Sequence, residues 1–378
     1  MKKSLYIHIP FCRTKCPYCD FYSIVYKPNC ASSYIDTICR QIEQLDSQFS
    51  TIYIGGGTPT VLDIRLLEKL LGSLEKISAD AEEVTIEANP ESLDEAKMRL
   101  FGCGGVNRIS IGVQSLRNEK LRKLGRIHSV QNALDAIDMA RSQEFDNISI
   151  DLIFGVRGET FNSWRKELYE ATRLPIAHLS LYSLTYERDA LAFGKGEKVC
   201  IKPLNEEAVA KLYSFAIEYL PGEQFTQYEI SSFSKRGYRC RHNLHYWENN
   251  SYVGLGPSAV SYLDGTRMRN IPDVNEYVRK VGAGEAPVVF KEKLSDLQRA
   301  RETAALKIRT REGIDFDAFK KKSGFDFAEL TADCLPGLIE KGLVRWKDRD
   351  GSKVGVCLTG SGFLFCDSVS SEFLQEEA

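Results

Sequence analysis

No apolar run in the 378-residue chain approaches the roughly 20 residues that a membrane-spanning helix needs. A secretory leader is not expected either. The stretch from Ser4 to Phe11 is too short for an apolar leader core, and His8 and Pro10 interrupt it. A cytoplasmic location is therefore expected. Charge of one sign is also lacking: 50 Lys and Arg stand against 52 Asp and Glu. That balance gives no global field for nucleic acid or an anionic membrane. Cysteine is plentiful but unpaired in pattern. Eleven residues, an odd number, in a reducing compartment argue against a disulfide scaffold and for metal binding or buried packing. Cys30, Cys39, Cys103, Cys200, Cys240, Cys334, Cys357 and Cys366 are scattered singly and read mostly as small buried hydrophobes.

The remaining three, Cys12, Cys16 and Cys19, form a C-x3-C-x2-C run directly after a short apolar strand. Phe11, Tyr18, Phe21 and Tyr22 surround them. Such a run suits a zinc half-site, part of a disulfide framework or the three-point anchor of an iron–sulfur cluster. Zinc takes four ligands, commonly as two separated pairs. Here a second pair is missing, and the fourth ligand would be Cys30 or a distant His. A cluster held by three thiolates leaves one iron open for a small molecule, and aromatic flanks of low polarity suit it. Spacing alone leaves zinc and cluster both open.

Short β-branched runs alternate with helical patterns. The runs are SLYIHI (4–9), STIYI (50–54), EVTIEA (83–88), RISIGV (108–113), NISIDLI (147–153) and HLSLYSL (178–184). Between them lie segments such as 64–77 and 130–140 with apolar residues at helical spacing. Leu66, Leu67, Leu70, Leu71 and Leu74 predict one buried stripe. Repeated strand–helix units imply a parallel sheet covered by helices, either open or curved. Polar residues sit at the ends of many strands: the GGGT turn, Glu87 and Asn89, Gln114, Asp151. Such convergence favours a barrel mouth over a single switch point. The expected fold is thus α/β, a partial (β/α)6 TIM-like barrel over 1–230. Residues 231–293, rich in Gly, Asn, Arg and Tyr, read as loops closing the barrel. Residues 294–378 read as a small winged-helix-like α+β module, with helices at 315–323 and 326–341, a hairpin turning at Asp350-Gly351 and a last helix. Its FAELTADCLPGLIE segment (327–340) carries no basic stripe, so nucleic acid is not the expected partner.

A second motif narrows the choice at the cysteines. C-x3-C-x2-C followed on the next strand by YIGGGTPT (53–60) resembles the radical S-adenosylmethionine (SAM) superfamily. YIHIPFC (6–12), GGGTP (55–59), EANP (87–90), GVQS (112–115), LGRIH (124–128) and IDLIFG (150–155) are similar, in order, to the coproporphyrinogen III oxidase-like branch. The resemblance covers essentially the whole chain, the C-terminal module included. It implies a radical SAM barrel with Cys12, Cys16 and Cys19 holding a [4Fe-4S] cluster. It implies SAM contacts from Tyr6, Tyr18, Gly56, Gly57, Thr58, Glu87, Gln114, Arg126 and Asp151. The chemistry of those residue types agrees. Glycines admit close backbone approach to the SAM amino group, and GGGTP also reads as a plain turn with Pro59 at a helix start. Arg126 suits a carboxylate bidentately, and Asp151 suits ribose hydroxyls.

Two markers place the chain within the branch. Coproporphyrinogen dehydrogenases resemble C-x3-C-x2-C-x-C, whereas the last position here is Phe21, which has no thiol to ligate or relay. The decarboxylation of coproporphyrinogen III is therefore the alternative reading, without an assigned catalytic residue. CRHNLHYW (240–247), preceded by QYEIS (227–231), resembles the haem chaperone branch. That implies haem as cargo, handed to an acceptor protein, with an electron donor if the cluster cycles. A homodimer remains open. His242, and after it His245, are the candidate axial imidazoles, Tyr246 and Trp247 candidate ring contacts, and Arg239 or Arg241 candidate propionate partners. The competing reading makes HNLHYW a structural corner with its aromatics in the core. C-x-x-C-H is missing, so covalent c-type attachment has no support. The chain departs from the branch at Arg157, where proline is usual, and at YERDALAFG (186–194), which lacks the usual E-P-G-T turn.

Overall fold

The computed structural model describes residues 3–185 and 203–375. The YERDALAFG departure lies outside them. Six strands run parallel and neighbour one another in chain order: β1 (Lys3–Ile9), β2 (Phe49–Gly56), β3 (Glu83–Ala88), β4 (Arg108–Gln114), β5 (Ile148–Phe154) and β6 (His178–Ser183). Each is followed by a covering helix: α1 (Pro28–Glu43), α2 (Ile64–Ser78), α3 (Glu95–Cys103), α4 (Val130–Ser142), α5 (Phe161–Ala171) and α6 (Glu206–Tyr219). This is the expected (β/α)6 arrangement. Helix starts follow capping chemistry. Asp63, Asp94, Ser129 and Thr160 each accept a first-turn backbone N–H, the last two within capping boxes.

Strict alternation along the strands sorts their side chains onto two faces. Leu5, Ile7, Ile9, Ile52, Ile54, Val84, Ile86, Ile109, Ile111, Ile150 and Leu179 are buried in the core with the helices' apolar stripes, the leucines of α2 among them. The opposite face carries Tyr6, His8, Tyr53, Glu87, Ser110, Gly112, Gln114, Asp151 and Tyr182, which line cavities inside the curve of the sheet. The barrel interior is therefore polar, and it is a place for ligands.

Residues 231–293 are not the loops expected of them. They form β7 (Ser232–Ser234), α7 (Arg241–Trp247), β8 (Tyr252–Leu255), β9 (Val260–Leu263), β10 (Thr266–Asn270), α8 (Val274–Gly282) and β11 (Val288–Lys293). β8 pairs parallel with β1, and β9 to β11 continue as an antiparallel meander. β7 pairs antiparallel with β6. Among the described residues the result is one 12-stranded open sheet with β11 at one edge and Thr226–Gln227 at the other. These strands are only three to six residues long, and their pairing energy comes from long-range partners rather than local propensity.

The C-terminal module comprises α9 (Asp296–Lys307), β12 (Ile314–Asp315), α10 (Phe316–Ser323), α11 (Leu335–Glu340), β13 (Val344–Arg349), β14 (Ser352–Leu358) and α12 (Cys366–Leu374). The expected single helix over 326–341 is two pieces, Phe327–Leu330 and α11, because Pro336 fits only a helix's first turn. Asp350 and Gly351 turn the hairpin with φ of 52° and 79°, as a two-residue turn with both central residues left-handed requires. Phe316, Phe319, Phe327 and Phe373 form its aromatic centre.

Candidate functional site

The ends of β1 and β2 are knitted by backbone bonds from Gly57 N to the Ile9 carbonyl (2.8 Å) and from Thr58 N to the Phe11 carbonyl (2.7 Å). This holds the cysteine loop against the GGGTP turn. A side chain at Gly57 would stand 2.7 Å from the Phe11 carbonyl oxygen, and one at Gly56, whose φ is +112°, would stand 2.5 Å from His8 Nδ1. The glycines are thus demanded by the packing of the turn itself, besides any ligand. His8 closes the loop from the other side. Its Nε2–H donates to the Tyr22 carbonyl (2.8 Å), so Nδ1 accepts from the Tyr6 hydroxyl (2.9 Å). Burial holds this imidazole neutral by lowering its pKa.

Cys12, Cys16, Cys19, Tyr18, Gly56, Gly57, Thr58, Glu87, Gln114, Arg126 and Asp151 all line one cavity of about 370 Å³. Of the expected SAM contacts only Tyr6 is elsewhere, on the wall of a neighbouring cleft. The Thr58 hydroxyl donates to Cys12 Sγ (3.5 Å) and Arg126 Nη1 to Cys16 Sγ (3.4 Å). Burial raises the Cys12 thiol and pushes Cys19 up to about 11, so metal must displace protons to bind. Nowhere among the described residues do three or more His, Cys, Asp or Glu side chains converge on a single ion. A [4Fe-4S] cluster would ask for less convergence, since each thiolate would meet a different iron.

Arg126 is half-buried and spends its Nη2 on Asn89 Oδ1 (2.6 Å) and the Gly112 carbonyl (3.2 Å). Its Nε is buried without a partner, an unfilled donor inside the cavity. Across from it stand two carboxyls. Glu87 accepts from the Tyr53 hydroxyl (2.8 Å) and Gly56 N (3.0 Å). Burial, then the charge of Asp151, pushes it up to about 7. Burial likewise pushes Asp151 up to about 6, against hydrogen bonds from Ser180 and Ser110. Two half-buried carboxyls that resist ionisation, three thiols and an orphaned guanidinium N–H fit a zwitterion with an added positive charge bound beside a thiolate-held cluster. Gln114 sits at a β-bulge with φ of +62°, a strained backbone of the kind found at ligand sites. The sequence placed Asn89 at the mouth but not its bond to Arg126, and it did not single out Tyr53, Ser110 and Tyr182. Their signal is the strand alternation, which puts Tyr53 and Ser110 on the inner face.

The second cleft, about 720 Å³, shares Asp20, Phe21, Gly56, Glu87 and Tyr182 with the first. Its other walls include Tyr6, Tyr53, Tyr246, Tyr252 and Tyr262. His242 and Tyr246 reach it; His245 and Trp247 do not. HNLHYW is a helix rather than a corner. His242 is buried, with Nδ1 2.8 Å from the Thr51 hydroxyl and Nε2 2.9 Å from the Tyr246 hydroxyl. Burial pushes its pKa down to about 3. His245 Nε2 donates to the Ser251 carbonyl (2.9 Å), and the Arg309 guanidinium lies over the Trp247 ring. Arg239 and Arg241, expected near propionates, pair with Glu312 and Glu82 and line a separate pocket that includes neither cleft's walls. Arg157 also faces a different pocket.

Comparison with known proteins adds to this geometry. Residues 6–168 match the radical SAM superfamily and residues 294–365 the HemN C-terminal domain. The chain is 31% identical over 377 residues to the heme chaperone HemW of Lactococcus lactis subsp. lactis (strain IL1403), covering 99% of this chain and 98% of that protein. It is 32% identical over 382 residues to heme chaperone HemW of Bacillus subtilis (strain 168), covering 99% and 100%. Among solved structures, the coproporphyrinogen III oxidase HemN of Escherichia coli superposes with a TM-score of 0.84 at 22% identity, over 98% of this chain and 90% of that one. That likeness speaks for the fold.

Proposed function

From the premise that this chain belongs to the HemW family of the radical SAM superfamily, we propose that it is a haem chaperone. It binds a [4Fe-4S] cluster, SAM and haem, and passes haem to an acceptor protein. Cys12, Cys16 and Cys19 hold the cluster, and Thr58 and Arg126 donate hydrogen bonds toward two of those sulfurs, which tunes them. When bound, the cluster supplies an electron and one open iron position for the SAM amino and carboxylate groups. Glu87 and Asp151 receive the cationic and hydroxyl parts of SAM, and the free Nε–H of Arg126 meets its carboxylate. Tyr18 covers the cavity beside Cys16.

The observation that carries this reading is the pair of adjoining cavities with a common wall of Asp20, Phe21, Gly56, Glu87 and Tyr182. One has the donor set for the cluster and SAM. The other is within the size range of cofactor sites and has tyrosine walls suited to a flat macrocycle. Phe21, where a decarboxylase of this branch carries cysteine, weighs against the oxidase alternative. His242 supports iron ligation only by exchanging the Tyr246 hydroxyl at Nε2, with Thr51 continuing to orient Nδ1. Anaerobically reconstituted protein titrated with haem tests the reading: a saturable Soret shift is expected, weakened in His242→Ala. A spectrum identical to free haem would defeat it.

A further inference from the structure

The tyrosine-walled cleft has acids at one end and arginines at the other. Asp20 and Glu87 lie where it meets the cysteine-lined cavity, and Arg267 and Arg269 lie on the β9–β10 hairpin. The two arginines are two residues apart on β10, so both project from one face of the sheet. Val260 and Tyr262, their cross-strand partners on β9, line the same cleft. The arginines differ in what they already hold. Arg267 places Nη1 2.8 Å from Glu292 and Nη2 on Glu302. Arg269 is exposed and stands opposite Val260 and Phe290, so its strand neighbours offer it no acid. Among the described residues its guanidinium makes no ion pair or hydrogen bond. An arginine fork left free at the rim of an aromatic cleft is matched to a planar carboxylate.

Resting on the haem reading above, we propose that Arg269 is the residue that selects the carboxylate form of the cargo. It takes a propionate of the tetrapyrrole in bidentate contact while the ring lies against Tyr246, Tyr252 and Tyr262. The inner end presents Asp20 and Glu87 and no guanidinium to a propionate, so the propionate edge faces outward to the hairpin. Glu302, already neutralised by Arg267, does not compete for Arg269. This assigns the role to a residue some thirty positions from Arg239 and Arg241, both of which are committed to other acids.

The test compares iron protoporphyrin IX with its dimethyl ester, which has the same ring and iron and no propionate charge. Soret titrations use full-length, anaerobically reconstituted wild type, Arg269→Gln and Arg269→Lys, with far-UV circular dichroism as the folding control. Wild type is expected to prefer the free acid by roughly 10- to 100-fold, the range for a charged hydrogen-bonded pair. Arg269→Gln removes that preference by weakening the free acid and leaving the ester unchanged. Arg269→Lys, a point charge without the fork, keeps part of it. If Arg269→Gln retains the wild-type preference, the inference is overturned while the haem reading stands. If wild type binds neither compound, the haem reading falls and takes the inference with it.

Discussion

At the scale of single residues, the decisive chemistry is that of two carboxyls held in a cavity that disfavours their charge. Glu87, pushed up to about 7, and Asp151, to about 6, both titrate above their ordinary values. The ligand-free protein therefore gains stability from their protonation. That gain is complete below the ordinary carboxylate range and is lost as pH rises through about 6 and then 7. SAM binding runs the other way, because its cationic groups favour the ionised carboxylates. SAM affinity measured by equilibrium dialysis should rise between pH 6 and pH 8 while the melting temperature of the ligand-free protein falls. Glu87→Gln should bind SAM about 10- to 100-fold more weakly, the loss of one charged hydrogen bond, and with a flatter pH profile. Wild-type binding independent of pH across that interval would contradict the assignment. Gly57 offers a separate test. Alanine there meets backbone at 2.7 Å, so Gly57→Ala should destabilise the ligand-free protein by about 1–3 kcal/mol in urea unfolding. Gly72, in the interior of α2 with open space around it, should instead gain about 0.5–1 kcal/mol on substitution by alanine.

At the scale of elements, the HNLHYW helix α7 depends on a barrel strand for its cap. Cys240 at its N-cap offers no side-chain acceptor. The buried Glu83 carboxylate on β3 accepts from Arg241 N (2.8 Å) and His242 N (3.1 Å) and lies beside the buried Arg108 of β4. Glu83→Ala strands both N–H groups and a buried guanidinium, and should cost about 3–5 kcal/mol. Urea unfolding checks this, and a cost under about 1 kcal/mol would show that α7 is held by something else. None of this was legible in the sequence, because Glu83, Thr51 and His242 meet across more than 150 residues. The six barrel strands were legible, since a run such as EVTIEA alternates apolar and polar residues without a break. The same alternation contained the polar interior, Tyr53 and Ser110 included. The meander of β8–β11 was not legible: its strands are short, interrupted by Gly254, Gly256 and Gly265, and meaningful only once β1 is in place. Pro336 did carry its own signal, a break in the helix expected over 326–341.

At the scale of the whole molecule, the three cysteines, the GGGTP turn and four more strand ends meet because six parallel strands bring their carboxyl ends to one mouth. The family motifs specified that gathering in order along the chain. They did not specify that Tyr6 faces the second cleft, or that Arg239 and Arg241 lie away from it. Among the described residues no helix is long and apolar enough to cross a membrane.

The central proposal is a thiolate-held [4Fe-4S] cluster with one open iron beside the carboxyl-lined cavity. Electron paramagnetic resonance of the anaerobically reconstituted, reduced protein, recorded with and without SAM, examines that claim most directly. The expected result is a [4Fe-4S] signal whose g values shift on adding SAM and which is lost in Cys16→Ala. Protein that retains zinc in place of iron and sulfide, or a cluster signal indifferent to saturating SAM, would contradict it.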